Sequence, residues 1–152
     1  MDMTTSVRTP DQAATSGVRR AARAGYRWLL LVFLLAVAVQ IFLAGLGVFD
    51  LDGHKLGSSG ETAFDPHRLN GNIMSAVALV LLVLILVARP GARLIVQAVV
   101  LFLLMAVAQP LLADAGEDQA WVGGLHAIIG VGLLGLASRL LVETKAGPAA
   151  SS

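Results

Sequence analysis

The stretch Asp65-Pro66-His67-Arg68-Leu69-Asn70-Gly71, continued to Arg89, decides how this chain is read. Asp65 is placed to cap a helix, and Pro66 suits the first helical position. Seventeen residues from Ile73 to Arg89 follow with no acid or base before the arginine. The segment is therefore the mouth of an apolar helix with a histidine at its lip. A second histidine, His126, stands near the start of another apolar run. Each has a glycine four residues on: Gly71 after His67, Gly130 after His126.

The composition agrees with a membrane protein. Of 152 residues, 14 % are charged and 57 % hydrophobic, whereas a soluble domain carries about a quarter charged residues. There is no cysteine, which excludes disulfides, thiolate metal sites and cysteine nucleophiles. Aromatic residues are few and not interleaved with basic ones, so nucleic-acid binding has no support.

Four apolar segments are expected to form helices, at 28–49, 66–88, 94–113 and 121–142, since about 20 apolar residues span a bilayer. Residues 1–27 read as a disordered basic tail containing Arg19, Arg20, Arg23 and Arg27, an anchor beside anionic lipid. Residues 143–152 read as a loose tail. The short connection Arg89 to Arg93 makes the second and third helices antiparallel. Pro110 is placed to kink the third helix. The fourth is rich in glycine, a surface through which helices or whole copies can pack closely.

Charge sets the orientation. With the N-terminus inside, inner segments hold nine basic residues (Arg8, Arg19, Arg20, Arg23, Arg27, Arg89, Arg93, Arg139, Lys145) and outer segments two (Lys55, Arg68). The positive-inside rule then gives an all-α antiparallel four-helix bundle in the cell membrane, with both termini cytoplasmic. A backbone in lipid must satisfy its own hydrogen bonds, which helices do.

Polar residues within such a bundle are candidates for function. Gln40, His67, Asn70, Gln109 and His126 all fall toward the outer side. They also form a repeat: Gln40, loop, His67-x-x-x-Gly71, then Gln109, loop, His126-x-x-x-Gly130. An axis along the membrane normal would relate the two and bring the histidines face to face. Haem iron takes two axial imidazoles, and helices of a bundle can supply them. In this reading His67 and His126 are axial ligands of haem b. Gly71 and Gly130 clear room for the macrocycle, and Gln40 and Gln109 donate to propionates or orient an imidazole. The helix rise of about 1.5 Å per residue puts the histidines at one depth only if the fourth helix reaches inward to Lys145. A metal held by His67, His126 and Asp65 is a further option. The alternative is a cofactor-free structural or accessory subunit, in which the glutamines pair helices and the glycines pack them. A small transporter ranks third, because no acid or base lies within the spans. No Ser-His-acid arrangement, HExxH spacing or phosphate loop points to catalysis.

Two resemblances add to this. Residues 40–49 (Gln-Ile-Phe-Leu-Ala-Gly-Leu-Gly-Val-Phe), Pro66-His67-Arg68 and Leu125-His126-Ala127 resemble a family of small four-helix bacterial membrane proteins of unknown function, which implies the fold and no activity. More loosely, the chain is similar to one half of the haem A synthase family. There a four-helix unit carries a glutamine-then-glycine stretch on its odd helices and a haem-binding histidine on each even one. That resemblance implies His67 and His126 as ligands, matched with Gln40 and Gln109. This chain has a single such unit and no cysteine, so it implies haem binding and electron transfer rather than haem modification.

Overall fold

Tyr26, Leu30, Phe33 and Val37 recur at steps of four and three, as do Met74, Ala78, Leu81, Ile85 and Ala88, and Leu133, Ala137, Leu140 and Thr144. This spacing keeps one stripe of each helix turned inward. All of these side chains are buried, and the apolar ones except Ala88 join one core cluster with Ala98, Leu101 and Met105. The computed structural model describes residues 10–51 and 62–146. Its elements are α1 (Pro10–Leu51), α2 (Asp65–Ala88), α3 (Ala92–Leu103), a π-helical turn (Leu104–Ala108), α4 (Gln109–Asp118) and α5 (Ala120–Ala146). The third rod of the bundle is α3, the π turn and α4 in succession.

The rods run up, down, up and down. Each packs on its two neighbours: α1 on α2 and α5, and the third rod on α2 and α5. Thus α2 and α5 form one diagonal, α1 and the third rod the other. Outside the core the faces are large and apolar, among them Val32, Leu35, Phe42, Val80, Val83, Leu103 and Ile128. Four stretches are long and apolar enough to cross a membrane: Gln12–Asp50, Asp65–Ala88, Ala92–Asp118 and Ala120–Lys145. The bundle is inside-out by the standards of a soluble protein, since its exposed surface is the apolar one.

Several expected boundaries move. The basic segment before residue 28 is helical from Pro10, not disordered, and Ala22 and Tyr26 already belong to the buried stripe. Alanine and arginine are strong helix formers, and the packed stripe supplies what Thr15 and Ser16 lack. At 42 residues, α1 is about 60 Å long, twice the hydrocarbon thickness. The first nine residues lie outside the described ones, as do 52–61 with His54, and 147–152. At the other terminus α5 continues to Ala146, past the expected end at 142. Glu143 there accepts from Arg93 at 3.0 Å and Arg139 at 2.7 Å, which fastens α5 to the start of α3.

Asp65 is not the cap of α2. Phe64 occupies that position without a side-chain bond, and Asp65 sits in the first turn, 3.5 Å from Arg68. The turn to α3 is only Arg89-Pro90-Gly91. Arg89 adopts a left-handed conformation (φ 45°) and its N–H returns to the Ile85 carbonyl at 3.0 Å. Gly91 has φ 135°, which a side chain would resist. The third rod shows a widened π turn just before Pro110. Proline lacks an N–H and its ring crowds the carbonyl four residues earlier, so a looser turn relieves both problems. The Ser75 hydroxyl lies 3.1 Å from the Gly71 carbonyl and 3.4 Å from that of Met105 in the loosened turn.

Candidate functional site: a pair of histidines across the bundle

The buried stripes do not stay apolar to the end. On α1 the stripe of Tyr26, Leu30, Phe33 and Val37 continues to Gln40. On the third rod Ala98, Leu101 and Met105 lead to Gln109. On α2 and α5 the stripes reach back to His67 and His126. All four polar residues thus lie at one end of the core, Gln40, His67 and His126 by the heptad spacing that builds it and Gln109 one residue later than that spacing, across the π turn. The opposite end holds both described chain ends and most of the arginines.

The imidazoles of His67 and His126 meet across the α2–α5 diagonal. Their ring centroids are 6.1 Å apart and their planes are tilted by 56°. Both rings are half-buried. The two histidines are thus at one depth, and α5 does reach Lys145 as that requires. Phe64 stands edge-on to His67, centroids 6.2 Å apart. The Phe64 ring in turn lies over Gly47, where a Cβ would come within 2.6 Å of it.

Each histidine is clamped to the preceding rod in the same way. The Gln40 side-chain amide donates to the His67 carbonyl at 3.0 Å, and His67 Nδ1 lies 3.1 Å from the Gln40 backbone carbonyl. The Gln109 amide donates to the His126 carbonyl at 3.0 Å, and His126 Nδ1 lies 3.1 Å from the Gln109 carbonyl. The distances agree to a tenth of an ångström, so the repeat read in the sequence is a repeat in space. A carbonyl oxygen only accepts, so Nδ1 carries the hydrogen in both rings. In the neutral imidazole this leaves Nε2 with its lone pair free, the state in which histidine binds metal.

A Cβ on Gly71 would lie 3.4 Å from the Gln40 amide nitrogen, and one on Gly130 would lie 3.7 Å from that of Gln109. Both are ordinary contact distances, so the neighbour one turn from each histidine is the glutamine amide of the preceding rod. Likewise the side-chain amides face histidine carbonyls, while the imidazoles are oriented by the glutamines' backbone oxygens. Asn70 breaks the symmetry: its amide donates to Gln40 Oε1 at 2.7 Å and to the Ala36 carbonyl at 3.0 Å. The matching position on α5 is Ile129.

Asp65 does not complete a three-ligand metal site. Its carboxylate turns to Arg68, and among the described residues no three His, Asp or Glu side chains gather to hold an ion. Arg68 also reaches Glu117 at 3.0 Å, tying α2 to the end of α4 beside the histidines.

Residues 40–116 match DUF6220, a family of unknown function. The chain belongs to that family. The matched span opens on Gln40 and includes His67, Gly71 and Gln109, so three of the four clamp residues fall in the DUF6220 region, while His126 lies beyond it. Among curated proteins and solved structures, none matches the chain.

The clamp makes an ordered prediction. Gln40→Leu removes the donor to the His67 carbonyl and also leaves Asn70 without its closest acceptor. Gln109→Leu removes only the donor to His126. Losses of about 1–2 kcal/mol for Gln40→Leu and about 1 kcal/mol for Gln109→Leu are expected. Thermal melting in detergent checks this, and a larger loss for Gln109→Leu would contradict it.

Proposed function

We propose that this member of DUF6220 is a small multi-pass protein of the cell membrane that holds haem b between His67 and His126 for electron transfer. The observation that carries the reading is the separation of the rings. With a metal–nitrogen bond of about 2 Å on each side and a ring radius added at each end, two imidazoles flanking one metal ion have centres roughly 6 Å apart; here they are 6.1 Å apart. Both Nε2 atoms are free to ligate because both Nδ1 atoms are occupied. A backbone carbonyl behind a ligating imidazole fixes its orientation and raises its basicity. The resemblance to one half of haem A synthase supports the same reading. Haem held in this way would supply one-electron transfer. The chain's own part is to orient the two imidazoles, and a membrane redox partner would supply or take the electron.

Protein purified in mild detergent from haem-replete cells is expected to show a Soret band. A spectrum identical to that of the haem-free chain removes the proposal. The competing reading is a cofactor-free structural or accessory subunit. It is favoured by the reciprocal form of the Gln–His clamps, which fasten helix pairs whether or not a ligand is bound, and it predicts no such band.

Both termini are assigned to the cytoplasm on the basic count, nine residues against two. A periplasmic reporter fused after Ser58 is expected to be active and one fused after Ser152 silent. The opposite pattern would reverse the orientation. Gly124, Gly132 and Gly135 leave an open strip on α5, where an added Cβ would meet nothing within 4 Å; this is the face assigned to a second copy or an accessory partner.

A further inference from the structure

At the end opposite the histidines, the N-terminal half of α1 and the last turns of α2 enclose an open groove of about 600 Å³. Its walls are Val18, Val83, Leu86 and Val87, with Thr15, Arg19 and Arg89 along its rim. The apolar residues are exposed. Val83, Leu86 and Val87 are spaced i, i+3, i+4 on one face of α2. They run from Arg89, at the end of that helix, about 9 Å down its length. Arg89 is fixed at the helix terminus by its left-handed backbone. The groove thus pairs an apolar trough with two guanidiniums at one end.

Those two cations are unspent. Arg93 and Arg139 share Glu143, and Arg68 has Asp65 and Glu117. Among the described residues Arg19 and Arg89 have no carboxylate partner, and no acid lines the groove. Guanidinium forks match phosphate oxygens in pairs. In a bilayer that places Arg89 at the end of a span, this is headgroup level, with the trough extending into the acyl region.

We infer that the groove between α1 and α2 is a binding site for one anionic glycerophospholipid, its phosphate between Arg19 and Arg89 and an acyl chain along Val83, Leu86 and Val87. The site is independent of the histidine pair and stands or falls separately from it. The occupant is a lipid rather than free phosphate because the trough is apolar over its length.

The test adds phosphatidylglycerol to the detergent-solubilised full chain and reads retained lipid by native mass spectrometry and stabilisation by melting temperature. Phosphatidylcholine and inorganic phosphate are the comparison arms. Arg19→Gln combined with Arg89→Asn is expected to weaken phosphatidylglycerol binding at least about tenfold; asparagine tolerates the left-handed backbone at 89. The pair Arg20→Gln and Arg27→Gln removes the same charge outside the groove and is expected to change binding less than about twofold. Leu86→Trp, which fills the trough, is expected to displace the lipid with both arginines intact. If the double variant does not fold, Arg19→Gln alone, on the exposed face of α1, must still weaken binding several-fold. Equal losses in both arginine pairs overturn the site, as does equal binding of phosphatidylcholine. Stabilisation by inorganic phosphate alone overturns the lipid assignment.

Discussion

His67→Ala and His126→Ala are each expected to remove the Soret band of the purified protein, not merely to halve it. In the proposed site the two imidazoles flank one position, and neither has a substitute nearby: Asp65 is paired with Arg68, and no third histidine lies among the described residues. With one histidine gone, the chain would keep only one of the two residues that would hold the haem across the bundle. Reconstitution with haem in detergent should then fall by at least an order of magnitude in affinity, about 1.4 kcal/mol or more. His54→Ala changes no residue of the pair and is expected to leave the spectrum intact. A folded His126→Ala protein with an unaltered band would end the paired-histidine reading. Folding needs its own check, because His126 Nδ1 also binds the third rod. The melting temperature should drop by an amount comparable to that of Gln109→Leu, since each change breaks one of the two hydrogen bonds of the same clamp.

The repeated Gln–loop–His pattern was legible because it is periodic. Gln40 extends a stripe that a heptad count reveals, His67 and His126 begin two others, and Gln109 falls one residue beyond the count because the π turn intervenes. Which neighbour would fill the space beside Gly71 and Gly130 was not legible. The occupants are Gln40 and Gln109, 31 and 21 residues away in the chain, and only the packing of α1 on α2 and of α4 on α5 brings them there. The early start of α1 is hidden in the sequence for a different reason. Thr15, Ser16 and Gly17 resemble a solvated tail, yet Ala22 and Tyr26 supply a buried edge that extends the rod backward. Pro110 marked a disturbance correctly as to place. The form of the disturbance, a widened turn with Ser75 of α2 beside its Met105 carbonyl, involves a residue 30 positions away and is not legible locally.

The glycine with the largest expected consequence is one that spacing did not single out. Gly116 lies in the last turn of α4 and Gly123 in the first turn of α5, with Gln119 alone between the two helices. A Cβ on Gly116 would lie 2.9 Å from the Gly123 Cα and 3.0 Å from its nitrogen. Both are backbone atoms, so no rotamer change can relieve the clash, and the two helices must separate. Separation acts at the clamp, since Gln109 and His126 lie only seven and three residues away along the same two helices. Gly116→Val is therefore expected to cost about 1–3 kcal/mol, the usual range for overpacking, and to loosen the His126 attachment with it. Gly124→Val is the matched control, because a Cβ there meets nothing within 4 Å. Melting of the two variants in the same detergent separates the cases. Equal stability would mean that α4 and α5 do not approach each other at Gly116 and Gly123. A large loss confined to Gly116→Val, accompanied by reduced haem retention, ties the close crossing of these helices to the geometry of the histidine pair.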